Sequence, residues 1–208
     1  GWNGGACEMY NNCNRNKIMY NTIVDCDGVS EFGGQGGTVA NDNLFAYNKI
    51  INSGQLTWVN TSGTFAMQAS NIQYFNNVVV ENDQSRFSGP NVGAGNTHPL
   101  AHYPQSELYG FSGSPNATTV FNLKNNIYIL STGMDVTRSS YATKTIHEDN
   151  IFQLSNNSVT NFTLHSTELS VTGGVLSNTS NADPLTWNYA PATNSPAIDF
   201  GQNVGLTR

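Results

Sequence analysis

The sequence is poor in charge. Of 208 residues, 14 are Asp or Glu and eight are Lys or Arg, leaving a formal net charge of −6. The basic residues are scattered and form no patch, which excludes nucleic acid as an expected partner. No uninterrupted apolar run of about 18 residues is present, so no segment is expected to span a membrane. No glycine-rich loop leads into Lys-Ser or Lys-Thr, so a nucleotide site is not expected. The strong helix formers Glu, Lys, Arg and Ala are scarce, which excludes a helical bundle. Cysteine is limited to Cys7, Cys13 and Cys26. They include no Cys-x-x-Cys pair for a metal, and both one disulfide with a spare thiol and three buried thiols stay open. The chain opens at Gly1 with neither Met nor a signal peptide, and the expectation is a processed chain or a fragment.

What is abundant points the other way. Asn (30), Gly (20), Ser (19) and Thr (20) make up 89 of the 208 residues. With 38% apolar and 11% aromatic residues the chain is not a disordered one. A turn-rich, all-β single domain is the class that remains.

An internal repeat selects the architecture. Residues 16–24 read NKIMYNTIV, 43–51 read NLFAYNKII and 71–79 read NIQYFNNVV. Shorter echoes are KNNIY at 124–128 and EDNIF at 148–152. Aligned on the polar residue two before an aliphatic one, a column holds Asn21, Asn48, Asn76, Asn125 and Asp149. The aliphatic column holds Ile23, Ile50, Val78, Ile127 and Ile151, in steps of 27, 28, 49 and 24 residues. Tyr20, Tyr47 and Phe75 precede the polar column, and Asn16, Asn43 and Asn71 lie five positions before it. The step of 49 is expected to hold two coils, one obscured. A period of about 25 residues is that of a solenoid. Runs such as Thr22-Ile23-Val24 and Val78-Val79-Val80 are β-branched and bounded by turn residues, so each copy supplies strands. Asn tolerates left-handed backbone and can hydrogen-bond between stacked copies, which suits a repeated corner. A parallel β-helix of about seven coils is the fold these features predict.

The Asn-x-Ile/Val motif resembles the right-handed parallel β-helix of secreted polysaccharide lyases, polygalacturonases and related bacterial surface proteins. The C-terminal stretch is similar to the closing coil of bacterial members. It comprises Asp183-Pro184-Leu185, then Ser195-Pro196-Ala197-Ile198-Asp199-Phe200-Gly201, then Asn203-Val204-Gly205-Leu206. The resemblance implies the fold and a location outside the cell or on its surface; enzymes and non-enzymes share that fold. In the family the closing segment usually runs further, and this chain stops at Arg208. The resemblance therefore implies open solenoid ends able to stack on another copy.

One β-helix domain over 1–208 is expected, divided into N-terminal coils (1–80), a loop excursion (81–119) rich in Pro and Gly, C-terminal coils (120–181) and a closing segment (182–208). Part of a coil can lie inside the excursion.

Four groups of residues are candidates for chemistry. Asp25, Asp27 and Glu31 put three carboxylates within seven residues, as a Ca²⁺ site or an acid/base pair would need, although Asp-Gly is also a plain turn signal. Arg86, His98, His102 and Tyr103 in the excursion supply the base and cation of β-elimination beside a uronate carboxylate, or else belong to an irregular packed loop. His147 and Glu148 flank Asp149 as expected exposed strand residues. Trp58, Tyr74 and Tyr109, with Trp2 and Trp187, offer rings for stacking on sugars, or fill the core. Glycosylation sequons stand at Asn60, Asn116, Asn156, Asn161 and Asn178, a number that chance alone supplies, with Asn60, Asn156 and Asn161 expected to be the most exposed.

The resulting expectation is a secreted or surface β-helix that contacts extracellular polysaccharide along its lateral face. Its alternatives are a subunit that stacks end to end with copies of itself into a fibre, and a polysaccharide lyase or glycoside hydrolase acting on uronate-containing glycans.

Overall fold

A computed structural model describes residues 5–26, 28–81, 107–130, 135–137, 139–154, 163–179 and 183–206. The described chain is all-β apart from two short 3₁₀ segments, and none of its helices is long and apolar enough to cross a membrane.

Three parallel sheets carry most of the structure. The first orders β1 (Gly5–Tyr10), β4 (Gly28–Gly33), β8 (Gln55–Asn60), β12 (Glu107–Ser112) and β15 (Asp135–Thr137). The second orders β16 (Thr145–Glu148), β13 (Phe121–Lys124), β10 (Ile72–Phe75), β6 (Leu44–Ala46) and β2 (Lys17–Met19). The third orders β18 (Leu169–Val171), β17 (Ile151–Leu154), β14 (Ile127–Leu130), β11 (Val78–Glu81), β7 (Lys49–Ile51) and β3 (Thr22–Val24). From β1 to β17 the chain visits first, second and third sheet in rotation, and β5 (Val39–Asn41) and β9 (Gln68–Ser70) pair separately between visits. That rotation is consistent with a solenoid. An antiparallel hairpin of β19 (Leu176–Asn178) and β20 (Asn188–Pro191) follows.

The core lies between the sheets. Phe32, Val59 and Phe111 stack from the first sheet, Phe45, Tyr74 and Leu123 from the second, and Ile50, Val79, Tyr128 and Phe152 from the third. In-register strands place like side chains above one another, so rings meet face to face: Phe45 on Tyr74 at 4.6 Å and Tyr128 on Phe152 at 5.0 Å. Buried hydroxyls find partners within this core. Tyr74 donates to the Leu56 carbonyl (2.9 Å) and meets Thr57 Oγ1, and the Tyr109 and Tyr128 hydroxyls lie 3.0 Å apart. Burial pushes all three phenols above their ordinary range.

Register corrects the expected repeat alignment. Ile23 pairs with Ile50, Ile50 with Val79, Val79 with Tyr128 and Tyr128 with Phe152. The later copies are therefore displaced by one residue from the columns expected from sequence. Each corner between second and third sheet is a two-residue unit, namely Tyr20-Asn21, Tyr47-Asn48, Asn76-Asn77, Asn125-Asn126 and Asp149-Asn150. The first member is left-handed throughout, with φ of 61°, 56°, 57°, 56° and 57°. The second member points inward. In the later copies both members are polar, so matching on polarity picks the wrong one. The step of 49 residues is likewise a single passage, because β11 pairs directly with β14. Within that step β12 is a strand of the first sheet between β8 and β15, and residues 82–106 lie outside the described residues.

Candidate functional site

The corner between second and third sheet has an inner and an outer row. The inner row is a ladder of amides. Asn21 Nδ2 donates to Asn48 Oδ1 (3.1 Å), Asn48 to Asn77 (3.0 Å), Asn77 to Asn126 (2.9 Å) and Asn126 to Asn150 (3.0 Å). Each buried Nδ2 also donates to a second-sheet carbonyl one layer back, such as Phe45 for Asn77 and Tyr74 for Asn126. The ladder ends on a different residue: Asn150 Nδ2 donates to Glu168 Oε1 at 2.7 Å. Oε2 of the same carboxylate meets His147 Nδ1 (2.8 Å) and accepts from the His165 backbone N–H (2.9 Å). A carboxylate accepts but has no N–H to pass on, so this residue closes the ladder chemically.

The outer row divides into two parts. Over the last two layers, at Asn125 and Asp149, it is covered by the C-terminal segment. Asn125 donates from Nδ2 to the Gln202 carbonyl (2.7 Å) and accepts the Gln202 N–H on Oδ1 (3.0 Å). The Gln202 side chain reaches the Asp149 carboxylate. Ala197 and Phe200 pack on Val80, Ile129 and Ile151, while Val204 and Leu206 pack on Leu44, Ala46 and Phe75. A cavity of about 110 Å³ remains between Ala197, Phe200 and the corner residues Asn125, Asn126 and Asp149. The closing motif thus acts as a strap across the flank. Asp183 caps the 3₁₀ segment Pro184–Thr186, and Ser195 Oγ donates to the Val175 carbonyl at 2.6 Å, fixing the strap's start.

Over the first two layers the outer row is aromatic and exposed, although the end of the strap, Val204 and Leu206, reaches the adjoining strand at Leu44 and Ala46. Tyr20 is 57% exposed and Tyr47 36%. Their rings are parallel within 2° with centroids 5.1 Å apart. Both hold a left-handed backbone that bulky residues avoid, at a cost of about 1 kcal/mol each. Lys49, two residues past Tyr47, places Nζ 4.8 Å from the centre of the Tyr189 ring. Burial and the charge of Asp183 push the Tyr189 phenol up to about 12, so it stays a neutral donor at physiological pH. Its hydroxyl donates to the Pro184 carbonyl (2.9 Å). This exposed ring pair, with Lys49 two residues past Tyr47, is the candidate site.

The residues singled out in the sequence are placed elsewhere. Trp58, Tyr74 and Tyr109 are 2%, 0% and 0% exposed, which corrects their expected use as sugar platforms: no face of these rings is available. Glu31 is buried on β4 and accepts from Asn60 Nδ2 at 2.8 Å, whereas Asp25 is an exposed left-handed corner residue after β3. Asp27 lies outside the described residues, and no cluster of three or more His, Cys, Asp or Glu able to hold a metal occurs among those described. Arg86, His98, His102, Tyr103, Trp2, Asn156 and Asn161 also lie outside the described residues. Asn60 is half-buried with both ends of its amide engaged by Glu31 and Trp58, which corrects its expected exposure; Asn116 and Asn178 are exposed. His147 faces inward above Leu123 and Glu148 pairs with Lys124; both lie on a strand as expected, but half-buried and not exposed. Cys7, Cys13 and Cys26 are half-buried thiols outside any disulfide; burial and the charge of Cys26 raise the Cys7 thiol.

Tyr20 and Tyr47 were visible in the sequence as an aromatic column. What hid their role was the third copy, where Phe75 occupied that column in the alignment although Asn76 is the true counterpart. Comparisons with family models, with characterised proteins and with solved structures returned no match.

Proposed function

We propose that the chain is a right-handed parallel β-helix, secreted or held at a cell surface, whose lateral face contacts extracellular polysaccharide. Parallel strands joined by crossovers are right-handed almost without exception, which supports the handedness. The low charge and the Asn/Thr/Ser-rich composition support an extracellular setting.

One observation carries the reading: Tyr20 and Tyr47 stand stacked and exposed on the flank, in a backbone conformation that three other layers assign to Asn or Asp. A locally unfavourable choice made twice, and not relieved by burial, is characteristic of a site that acts on something outside the chain. Flat aromatic faces bind the C–H faces of sugars, and Lys49, two residues past Tyr47, adds a three-donor cation on the same flank.

The end-to-end fibre is the weaker alternative. The ladder presents the Asn21 end at one extremity and the acceptor-only Glu168 at the other, so head-to-tail stacking would set oxygens against oxygens. The lyase alternative draws on Arg86, His98, His102 and Tyr103, none of them among the described residues, and the hydrolase alternative on Asp25, Asp27 and Glu31, of which Asp27 lies outside them.

Retention on immobilised neutral and acidic polysaccharides tests the proposal. The intact protein is expected to be retarded by at least one of them, and Y20A/Y47A to bind about tenfold more weakly. Failure of the intact protein to bind any, or undiminished binding by the double variant with its fold intact, would overturn it.

A further inference from the structure

The ring pair has a second chemistry, independent of sugar. Tyr20 follows β2 and Tyr47 follows β6, strands paired in register at Met19 and Ala46, so the two residues repeat one another's backbone, φ 61° and 56°. With the backbones repeating and the rings parallel within 2°, matching ring atoms are separated by about the same distance as the centroids, 5.1 Å. Both residues are exposed to solvent. The other close tyrosines differ in both respects. Tyr74 and Tyr109 meet at 74° and are fully buried, and Tyr109 and Tyr128 touch through hydroxyls inside the core.

We propose that Tyr20 and Tyr47 form an intrachain oxidative cross-linking site, closing to a Cε–Cε dityrosine under peroxidase and hydrogen peroxide. Each phenol gives up one electron and one proton to become a phenoxyl radical with spin density at Cε. The two radicals join in one carbon–carbon bond. Each ring then moves the hydrogen of its bonded Cε to its oxygen and regains aromaticity. The pair has lost two electrons and two protons in all, which reduce one hydrogen peroxide to two waters. Because the new bond lies in the plane of both rings, the two side chains must turn out of the face-to-face stack about χ1 and χ2 to bring their Cε edges together, while the paired corners hold their backbones one layer apart. The bond would tie β2 and β3, the end strands of the second and third sheets, to the layer above.

The test treats dilute intact protein with a haem peroxidase and hydrogen peroxide, then isolates the monomer. Trypsin leaves both tyrosines on one fragment, since no Lys or Arg lies between Lys17 and Lys49; cleavage after Glu31 separates them. The expected result is dityrosine fluorescence in the monomer and, after cleavage at Glu31, a linked peptide pair lighter by two hydrogens. Y20F and Y47F, which keep the rings and the stack, should each lose the signal. Dityrosine confined to multimers, a monomer signal that survives in Y20F/Y47F, or a linkage mapped to other tyrosines would overturn the proposal. None of these readouts depends on polysaccharide binding.

Discussion

The same corner is built twice in this molecule, and the two versions differ only on the outside. In both, the inward residue is Asn, and its amide bonds pass without interruption from layer to layer. Outside, the first two layers carry Tyr20 and Tyr47 and face solvent. The last three carry Asn76, Asn125 and Asp149, and the strap lies on Asn125 and Asp149. The inner row has no freedom because a buried amide without partners costs about 1–3 kcal/mol for each orphaned group. The outer row is free to vary, and there the chain departs from the residue its backbone prefers. Interior sameness therefore reports the fold, and exterior difference reports the use made of it.

The interior should fail alike in both regions. Alkali is the broadest probe. Tyr74, Tyr109 and Tyr128 are held protonated by burial, so only the unfolded chain releases their protons near pH 10. Stability is full below that pH and falls as pH rises above it, by about 4 kcal/mol at pH 11 for three phenols. Phenolate absorbance should rise together with loss of β circular dichroism; titration of all tyrosines in a folded protein would contradict the enclosed core. Within the ladder, N77A and N126A should each cost about 3–5 kcal/mol in denaturant titration, since each removal orphans the amide donors and a carbonyl of the layer before and leaves the Oδ1 of the layer after without its side-chain donor. N21A, at the exposed end, should cost under about 1 kcal/mol. Equal losses at Asn21 and Asn77 would mean that the ladder is not a continuous buried structure.

The strap is where the regions are made to differ. Gly201 holds φ +99°, and a Cβ there would meet Asn125 Oδ1 at 2.7 Å. G201A should therefore lift the strap locally at a cost of about 1–3 kcal/mol, and hydrogen exchange should quicken at Gln202 but not at Asn21 or Asn48. Unchanged exchange at Gln202 would show that the strap is held by its apolar anchors alone.

The sequence displayed the period, the strands and the polar corner because those depend on local chemistry: β-branched runs, and Asn where the chain turns left. It concealed the register, since Asn76-Asn77 and Asn125-Asn126 look the same from either member and only cross-layer pairing separates inward from outward. Glu168 could not be recognised as the ladder's end, because it lies 18 residues beyond Asn150 with none of the repeat's flanking pattern. Trp58, Tyr74 and Tyr109 misled for a related reason. An aromatic residue reads the same in sequence whether its ring points into the core or away from it, and strand register alone decides which.

The smallest expected effect separates use from stability most cleanly. If the left-handed corner at Tyr20 and Tyr47 is strained for the sake of the exposed rings, giving it the residue found in the later layers should relieve the strain. Y20N and Y47N should each raise stability, by about 0.5 kcal/mol, because relief of roughly 1 kcal/mol of backbone strain is offset in part by loss of the ring stack. Polysaccharide retention should fall in the same variants, and an Asn21–Asn48 bond kept intact would show that the inner row is untouched. Y20A tests the argument from the other side: it removes the ring without supplying a residue suited to the corner, so it should lose binding and gain no stability. Destabilisation by Y20N as large as that by Y20A would mean that the rings stabilise the corner themselves, and the contrast between the two regions would then reflect packing and not function.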